Sequence, residues 1–279
     1  MPTIALSTGS LHTYGLARVF DLAAAAGFDA IELMVDHRWD SRHPEYLKKL
    51  SSDTGLPIAV VHTPFVPYVP GWPDDPVGRV RESAGLARAL ESTVVVAHLP
   101  LRIRVAKLEF FGWRARPLLF PLPLPTTLHY DRFLAEELAR FEASEGVFVG
   151  VENMPCKRFL GRRVDICRSN TLDALVTMPH VTLDTTHIGT WGMDLLSVYE
   201  RLKERIVHVH LSNFNGMEHQ RVEDGHLPLA EFLARLTQDG YNGTVSVELN
   251  PVSLEAEDEG RALAHLHRAA EFCRLHTEG

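Results

Sequence analysis

Short runs of Val, Ile, Leu and Ala recur along the chain, most of them ending on or beside a polar or ionisable residue, with longer stretches of apolar residues at three- and four-residue spacing between them. The runs read as β-strands over Thr3–Ser7, Ala30–Met34, Ile58–His62, Thr93–His98, Phe148–Asn153, Val181–Thr185, Ile206–Leu211 and Thr244–Leu249. Between them, Leu134, Leu138 and Phe141, and further on Leu229, Phe232, Leu233 and Leu236, mark helices with one apolar face. Eight strands alternating with helices in 279 residues predict an α/β chain folded as one (β/α)8 TIM barrel over residues 1–279. A doubly wound sheet also alternates, but no GxGxxG or P-loop motif follows any strand. The one long connection, Pro100–Thr127, follows the fourth strand, and loops of that length serve as lids or as subunit contacts.

Alternation within the strands assigns their side chains to two faces. In the later strands it sends Val149, Val151 and Asn153, then Val181 and Leu183, then Val207, Val209 and Leu211, then Val245, Val247 and Leu249 outward to the helices. The same parity turns Glu152, Asp184, His210 and Glu248 into the lumen, and Glu32, His62 and His98 stand at or near the C-terminal ends of the earlier strands. Barrel enzymes carry their chemistry at that end. Several carboxylates buried together are costly unless a cation neutralises them. Three carboxylates and one imidazole from four successive strands form a set suited to Mn, Mg, Co or Zn. His187, three residues after Asp184, is a candidate for substrate binding or for support of a ligand. His62 and His98 are candidates for pocket hydrogen bonding, and His208 is expected deeper in the lumen as a structural residue.

Composition narrows the class. Cys156, Cys167 and Cys273 are an odd set without CxxC spacing, which predicts reduced thiols and a cytoplasmic protein. There is no signal-peptide pattern and no apolar run long enough to span a membrane. Twenty-eight basic against 36 acidic side chains leave a net charge of −8, which argues against nucleic acid as a partner.

The strings VVHTP, VVVAHLP, GVENMP, LDTTH, HVHLSN and VSVELNP, in this order, resemble the xylose-isomerase-like TIM-barrel superfamily, which includes ketose 3-epimerases, hydroxypyruvate isomerases, inosose dehydratases and the endonuclease IV group. The resemblance implies that Glu152, Asp184, His210 and Glu248 bind a divalent metal. It further implies that Glu152 and Glu248 move the proton and that His187 binds substrate oxygen. The implied reaction is isomerisation or epimerisation of a sugar, sugar phosphate or sugar acid through a metal-stabilised enediolate. Glu32, His62, His98 and Arg221 are the remaining substrate-binding candidates.

Two features depart from subgroups of the family. The 3-epimerases place a substrate-binding Arg soon after the seventh-strand His, whereas this chain reads HLSNFNGMEHQR, with its first Arg at Arg221. The endonuclease IV group uses histidines like His62 and His98 for a further zinc and an Asp-x-His for a third; here Met217-Glu218-His219 keeps the His and lacks the Asp. His62, His98 and His219 are therefore candidates for additional metal ligation, and zinc-dependent phosphodiesterase or metal-dependent dehydratase chemistry stands as the alternative.

Two loops are basic: Arg102, Arg104, Lys107, Arg114 and Arg116 in the long connection, and Lys157, Arg158, Arg162, Arg163 and Arg168 after Glu152. They fit an anionic carbohydrate. Phe110, Phe111 and Trp113 are candidates to wedge a duplex, cover a small-molecule pocket or meet a second subunit, and the apolar Leu118–Pro125 segment is a candidate homo-oligomer contact.

Overall fold

The structure is a computed structural model that describes residues 1–102, 104–108, 118–122, 128–159 and 162–277; the side chains of 103–127 and of 158–161 lie outside the described residues. Eight parallel strands close a barrel: β1 (Thr3–Ser7), β2 (Ala30–Met34), β3 (Ile58–His62), β4 (Val94–His98), β7 (Phe148–Glu152), β10 (Val181–Asp184), β11 (Ile206–Leu211) and β12 (Thr244–Val247). They follow one another around the ring in chain order, with β12 closing onto β1. Two antiparallel pairs lie outside the ring, β5 (Arg104–Leu108) with β6 (Leu118–Leu122) and β8 (Lys157–Phe159) with β9 (Arg162–Val164). The side chains expected to form a lid, wedge or subunit contact in the long connection lie outside the described residues, so the roles given to Arg104, Lys107, Phe110, Phe111, Trp113, Arg114, Arg116 and Leu118–Pro125 stay expectations.

The main core lies between barrel and helices, where Ile4, Leu33, Val61, Val95, Val149, Leu183, Val209 and Val245 point outward and are buried. The predicted helical stripes land there. Leu229, Phe232, Leu233 and Leu236 are all buried on α9 (Leu229–Gln238). Leu134, Leu138 and Phe141 are buried where α4 (Leu128–Arg132) passes through a π-helical turn, Phe133–Glu137, into α5 (Leu138–Glu145). The closing helix α10 (Glu259–Thr277) packs against α1 (Leu16–Ala26) and α9.

Within the described barrel strands strict alternation fails at two places, and both shape the lumen. The pairing of β10 with β11 shifts between Val181 and Thr182, so Ile206 faces the helices while Val207 and His208 both face inward. Val207, expected on the outer face, packs instead with Val60, Val94 and Val96. A Cβ added to Gly150 would meet Val207 Cγ2 at 3.3 Å and the backbone nitrogen of Thr182 at 3.1 Å, so this crowded stretch of lumen needs glycine there. β3 shows the same irregularity against β2, where Ala59 and Val60 both join the inner cluster. Each bulge adds one residue to its strand and tilts the residues beyond it. The result is an apolar floor beneath the ionisable layer.

Asn153 is the other departure. Expected on the outer face, it leaves the ladder, and its side chain grips β10: Nδ2 donates to Asp184 O at 3.0 Å and Oδ1 accepts from Asp184 N at 2.8 Å. The strand accordingly ends one residue earlier than the apolar pattern predicts.

Candidate metal centre

Four strands deliver the central group. β7 ends with Glu152 and β11 carries His210 one residue before its end, both facing the lumen; Glu248 follows the last residue of β12 and keeps a ladder bond, its N–H donating to Leu211 O at 3.2 Å. Asp184 ends β10 and also caps α7 (Thr185–Trp191), Oδ1 accepting the His187 N–H at 2.9 Å. The cap turns the other oxygen, Oδ2, toward the lumen.

These side chains meet around one nitrogen. His210 Nδ1 lies 3.1 Å from Glu152 Oε1, 3.2 Å from Glu248 Oε2 and 3.7 Å from Asp184 Oδ2. One ligand atom from each of the four falls within 4.8 Å of all the others. Glu152, Asp184 and His210 are buried, and Glu248 is the most open, with a side chain 13% exposed.

Two histidines stand on the far side of Glu152: His98 Nε2 lies 3.1 Å and His62 Nε2 3.9 Å from its Oε2. His62 donates from Nδ1 to Thr63 O at 2.7 Å, which turns Nε2 toward the lumen. His187 donates from Nδ1 to Asn153 O at 2.8 Å, with the same nitrogen 3.5 Å from both Glu152 Oε1 and Asp184 Oδ2. His219 sits at the edge of the group, its ring centroid 5.4 Å from that of His187. The two threonines of LDTTH place it: Thr185 Oγ1 donates to Ser212 O, Thr186 Oγ1 donates to Asn213 O, and Thr186 Oγ1 accepts the His219 N–H.

The electrostatics follow from crowding. Burial opposes ionisation of Glu152, yet hydrogen bonds from His210 and His98 hold its carboxyl well below the usual range. Burial and then the Glu152 charge push Asp184 well above it, and burial raises Glu248. Burial works against a charged His210, but Glu32, Glu248 and Glu152 together carry it well above the ordinary imidazole value. His62 falls to about 4 and His187 to about 3, chiefly through burial, so both rings are neutral.

Several sequence candidates lie elsewhere. Glu32 has no exposed surface; it sits behind His210, bonded to Ser7, His208 and His210, so it does not line the open mouth expected of a substrate-binding group. His208 is buried beside it, as expected of a deep lumenal residue. Arg221 is not brought to the group either: its guanidinium binds Asp224, Glu255 and His265, beside α10. Of the basic residues, Lys157 pairs with Glu218 at 2.8 Å, Arg168 pairs with Asp131 at 3.1 Å and Arg102 donates to Cys167 O, while Arg162 and Arg163 are exposed. Sequence reasoning missed Asn153 as a tie between strands. It also missed Phe65, 68% exposed, whose ring meets His98 edge-on at 5.2 Å. The exposed aromatic next to VVHTP was the available signal.

Glu152, Asp184, His210 and Glu248 fit a divalent cation. Among the described residues Asp184 Oδ2 is buried without a hydrogen-bond partner, beside two further carboxylates. A buried acceptor left in that state is costly, and a cation among the four ligand atoms would satisfy it. Carboxylates with one imidazole are the donor chemistry of Mn, Mg, Co and Zn.

Residues 20–269 match the family model described as xylose isomerase-like TIM barrel. An uncharacterised protein of Mycobacterium tuberculosis is 27% identical over 98% of this chain and 97% of its own length. Among solved structures, a D-tagatose 3-epimerase-like protein superposes with a TM-score of 0.64 at 21% identity, covering 99% of this chain and 98% of its own. An AP endonuclease, family 2, from Brucella melitensis gives 0.63 at 17% identity, covering 97% and 99%. At such identities the structural likeness establishes the fold and leaves the reaction to the site. With a family match that runs through nearly the whole barrel, the chain belongs to the xylose isomerase-like TIM-barrel family.

Proposed function

We propose that this protein is a divalent-metal-dependent isomerase or epimerase of a sugar, sugar phosphate or sugar acid. The observation that carries the reading is the convergence of Glu152, Asp184 and Glu248 on His210 Nδ1 at the C-terminal end of the barrel. The cation, when bound, supplies positive charge against the substrate's carbonyl and neighbouring hydroxyl oxygens and so acidifies the C–H between them. Glu152 and Glu248 approach the common centre from different strands, and each can hold or release a proton at its carboxylate oxygen. Removal of the proton by one and return by the other to the opposite face of the same carbon gives an epimer; return to the neighbouring carbon gives an isomer. His187 is neutral with Nδ1–H committed to Asn153, which leaves Nε2 to accept a hydrogen bond from a substrate hydroxyl. Phe65, exposed beside His98, offers an apolar wall to a sugar's carbon face.

The test is solvent exchange. Wild-type protein loaded separately with Mn, Mg, Co and Zn is incubated in deuterium oxide with ketoses, sugar phosphates and sugar acids. Deuterium entering at the carbon beside the carbonyl supports the reading; no exchange with any cation and substrate would sink it.

A second reading draws on His62, His98 and Glu152, whose ligand atoms also cluster within 4.8 Å, as do those of Asp184, His187 and His219. These two groups would hold further cations beside the first, and several cations together would supply the charge that phosphodiesterase chemistry needs. Two or three zinc ions per chain would bring this reading forward.

A further inference from the structure

We propose that Glu32 is the positioning residue that sets His210 for cation binding, and that Ser7 and His208 hold Glu32 in place; the inference rests on Glu152, Asp184, His210 and Glu248 being the cation's ligands. Glu32 lies on β2 and reaches across the lumen to β11, with no exposed surface. Ser7 Oγ on β1 donates to its Oε1 at 3.0 Å. Its Oε2 takes two imidazoles, His208 Nε2 at 2.6 Å and His210 Nε2 at 3.0 Å.

An ionised carboxylate only accepts hydrogen bonds, so both rings must present Nε2–H to it. For a neutral His210 this fixes the tautomer: Nδ1 carries the lone pair and faces Glu152, Glu248 and Asp184. A lone pair aimed at three carboxylates is stable only with a proton or a cation between them, and the same tautomer makes Nδ1 a ligand. Among the described residues His208 has its polar contact through Nε2 alone, since its Nδ1 is buried without a partner there. Its ring stands edge-on to that of His210 with centroids 4.9 Å apart, so it both anchors Glu32 and limits rotation of His210. Without the Glu32 charge, His210 is free to turn or to carry its proton on Nδ1, in competition with the cation.

The experiment is calorimetric titration of Mn²⁺ and of Zn²⁺ into chelator-treated full-length protein, for wild type, Glu32→Gln and Ser7→Ala, with circular dichroism to verify folding. Glu32→Gln is expected to weaken binding by about 10–100-fold, the range seen when such supporting partners are removed, and Ser7→Ala by less. In parallel, ¹⁵N NMR of the zinc-loaded wild type reads the His210 tautomer directly, and Nε2–H is expected. Equal affinity in wild type and a folded Glu32→Gln, or His210 protonated on Nδ1, overturns the proposal. If Glu32→Gln does not fold, Ser7→Ala and the tautomer decide. Absence of cation binding by wild type would instead overturn the ligand reading itself, and this proposal with it.

Discussion

The lumen of this barrel holds two layers built from the same strands and opposite in character. Below, Ala59, Val60, Val94, Val96 and Val207 form an apolar floor. Directly above, His62 follows Val60 on β3, His98 follows Val96 on β4, and His208 and His210 follow Val207 on β11. The floor is ordinary packing, and it contributes to stability through area removed from water. The upper layer gathers like charges in a buried space, which opposes folding unless a cation or a proton lies among them. One short stretch of strand therefore supplies both stability and stored electrostatic cost, and the bulges in β3 and β11 let the two layers fit. The floor lines the underside of the ionisable layer with apolar side chains, and interactions between charges are stronger in such low-dielectric surroundings.

Substitutions should separate the layers, and the largest effect belongs to the proton-moving carboxylates. Glu152→Gln and Glu248→Gln are each expected to lower turnover in the deuterium exchange assay by at least about 100-fold while leaving the fold intact. Next, removal of the cation by chelation should lower the unfolding free energy by about 2.7 kcal/mol relative to protein held at one hundred times the dissociation constant, as read by urea denaturation with and without metal. On the floor, Val96→Ala should cost about 2 kcal/mol in the same denaturation experiment, yet leave cation stoichiometry unchanged. Loss of cation binding in that variant would mean that the layers are not separable.

Asp184→Asn sharpens the contrast, because it removes the carboxyl whose ionisation burial and Glu152 oppose, without emptying the upper layer. It should abolish tight cation binding and raise the melting temperature of the cation-free protein by roughly 2–4 °C, the shift of about 1 kcal/mol in a chain of this size. A lower melting temperature in scanning calorimetry would contradict the stored cost. The smallest effect is expected at the rim. Phe65→Ala should raise KM a few-fold, about 1 kcal/mol of lost apolar contact, with kcat nearly unchanged.

Much of this was legible in the sequence, for reasons visible in particular residues. The barrel strands announce themselves as β-branched runs, and parity correctly turns Glu152, Asp184 and His210 inward because β7, β10 and the end of β11 are regular where those residues sit. Val207 was not legible, since no glycine or proline marks the bulge, and a one-residue shift in pairing reverses its face. Glu32 reads as a mouth residue from its place near a strand end; its burial depends on His208 and His210, far along the chain, leaning over it. Arg221 is close to the motif in sequence but is drawn toward α10 by Glu255 and His265. Asn153 follows the apolar alternation until the end of β7, where Asp184's backbone competes for its amide.

The most direct test of the central claim is metal content per chain, by elemental analysis of protein purified without chelator and then remetallated separately with Mn and Zn. One tightly held divalent cation per wild-type chain is expected, and none in Asp184→Asn. No stoichiometric cation in the wild type, or full retention in Asp184→Asn, would contradict it.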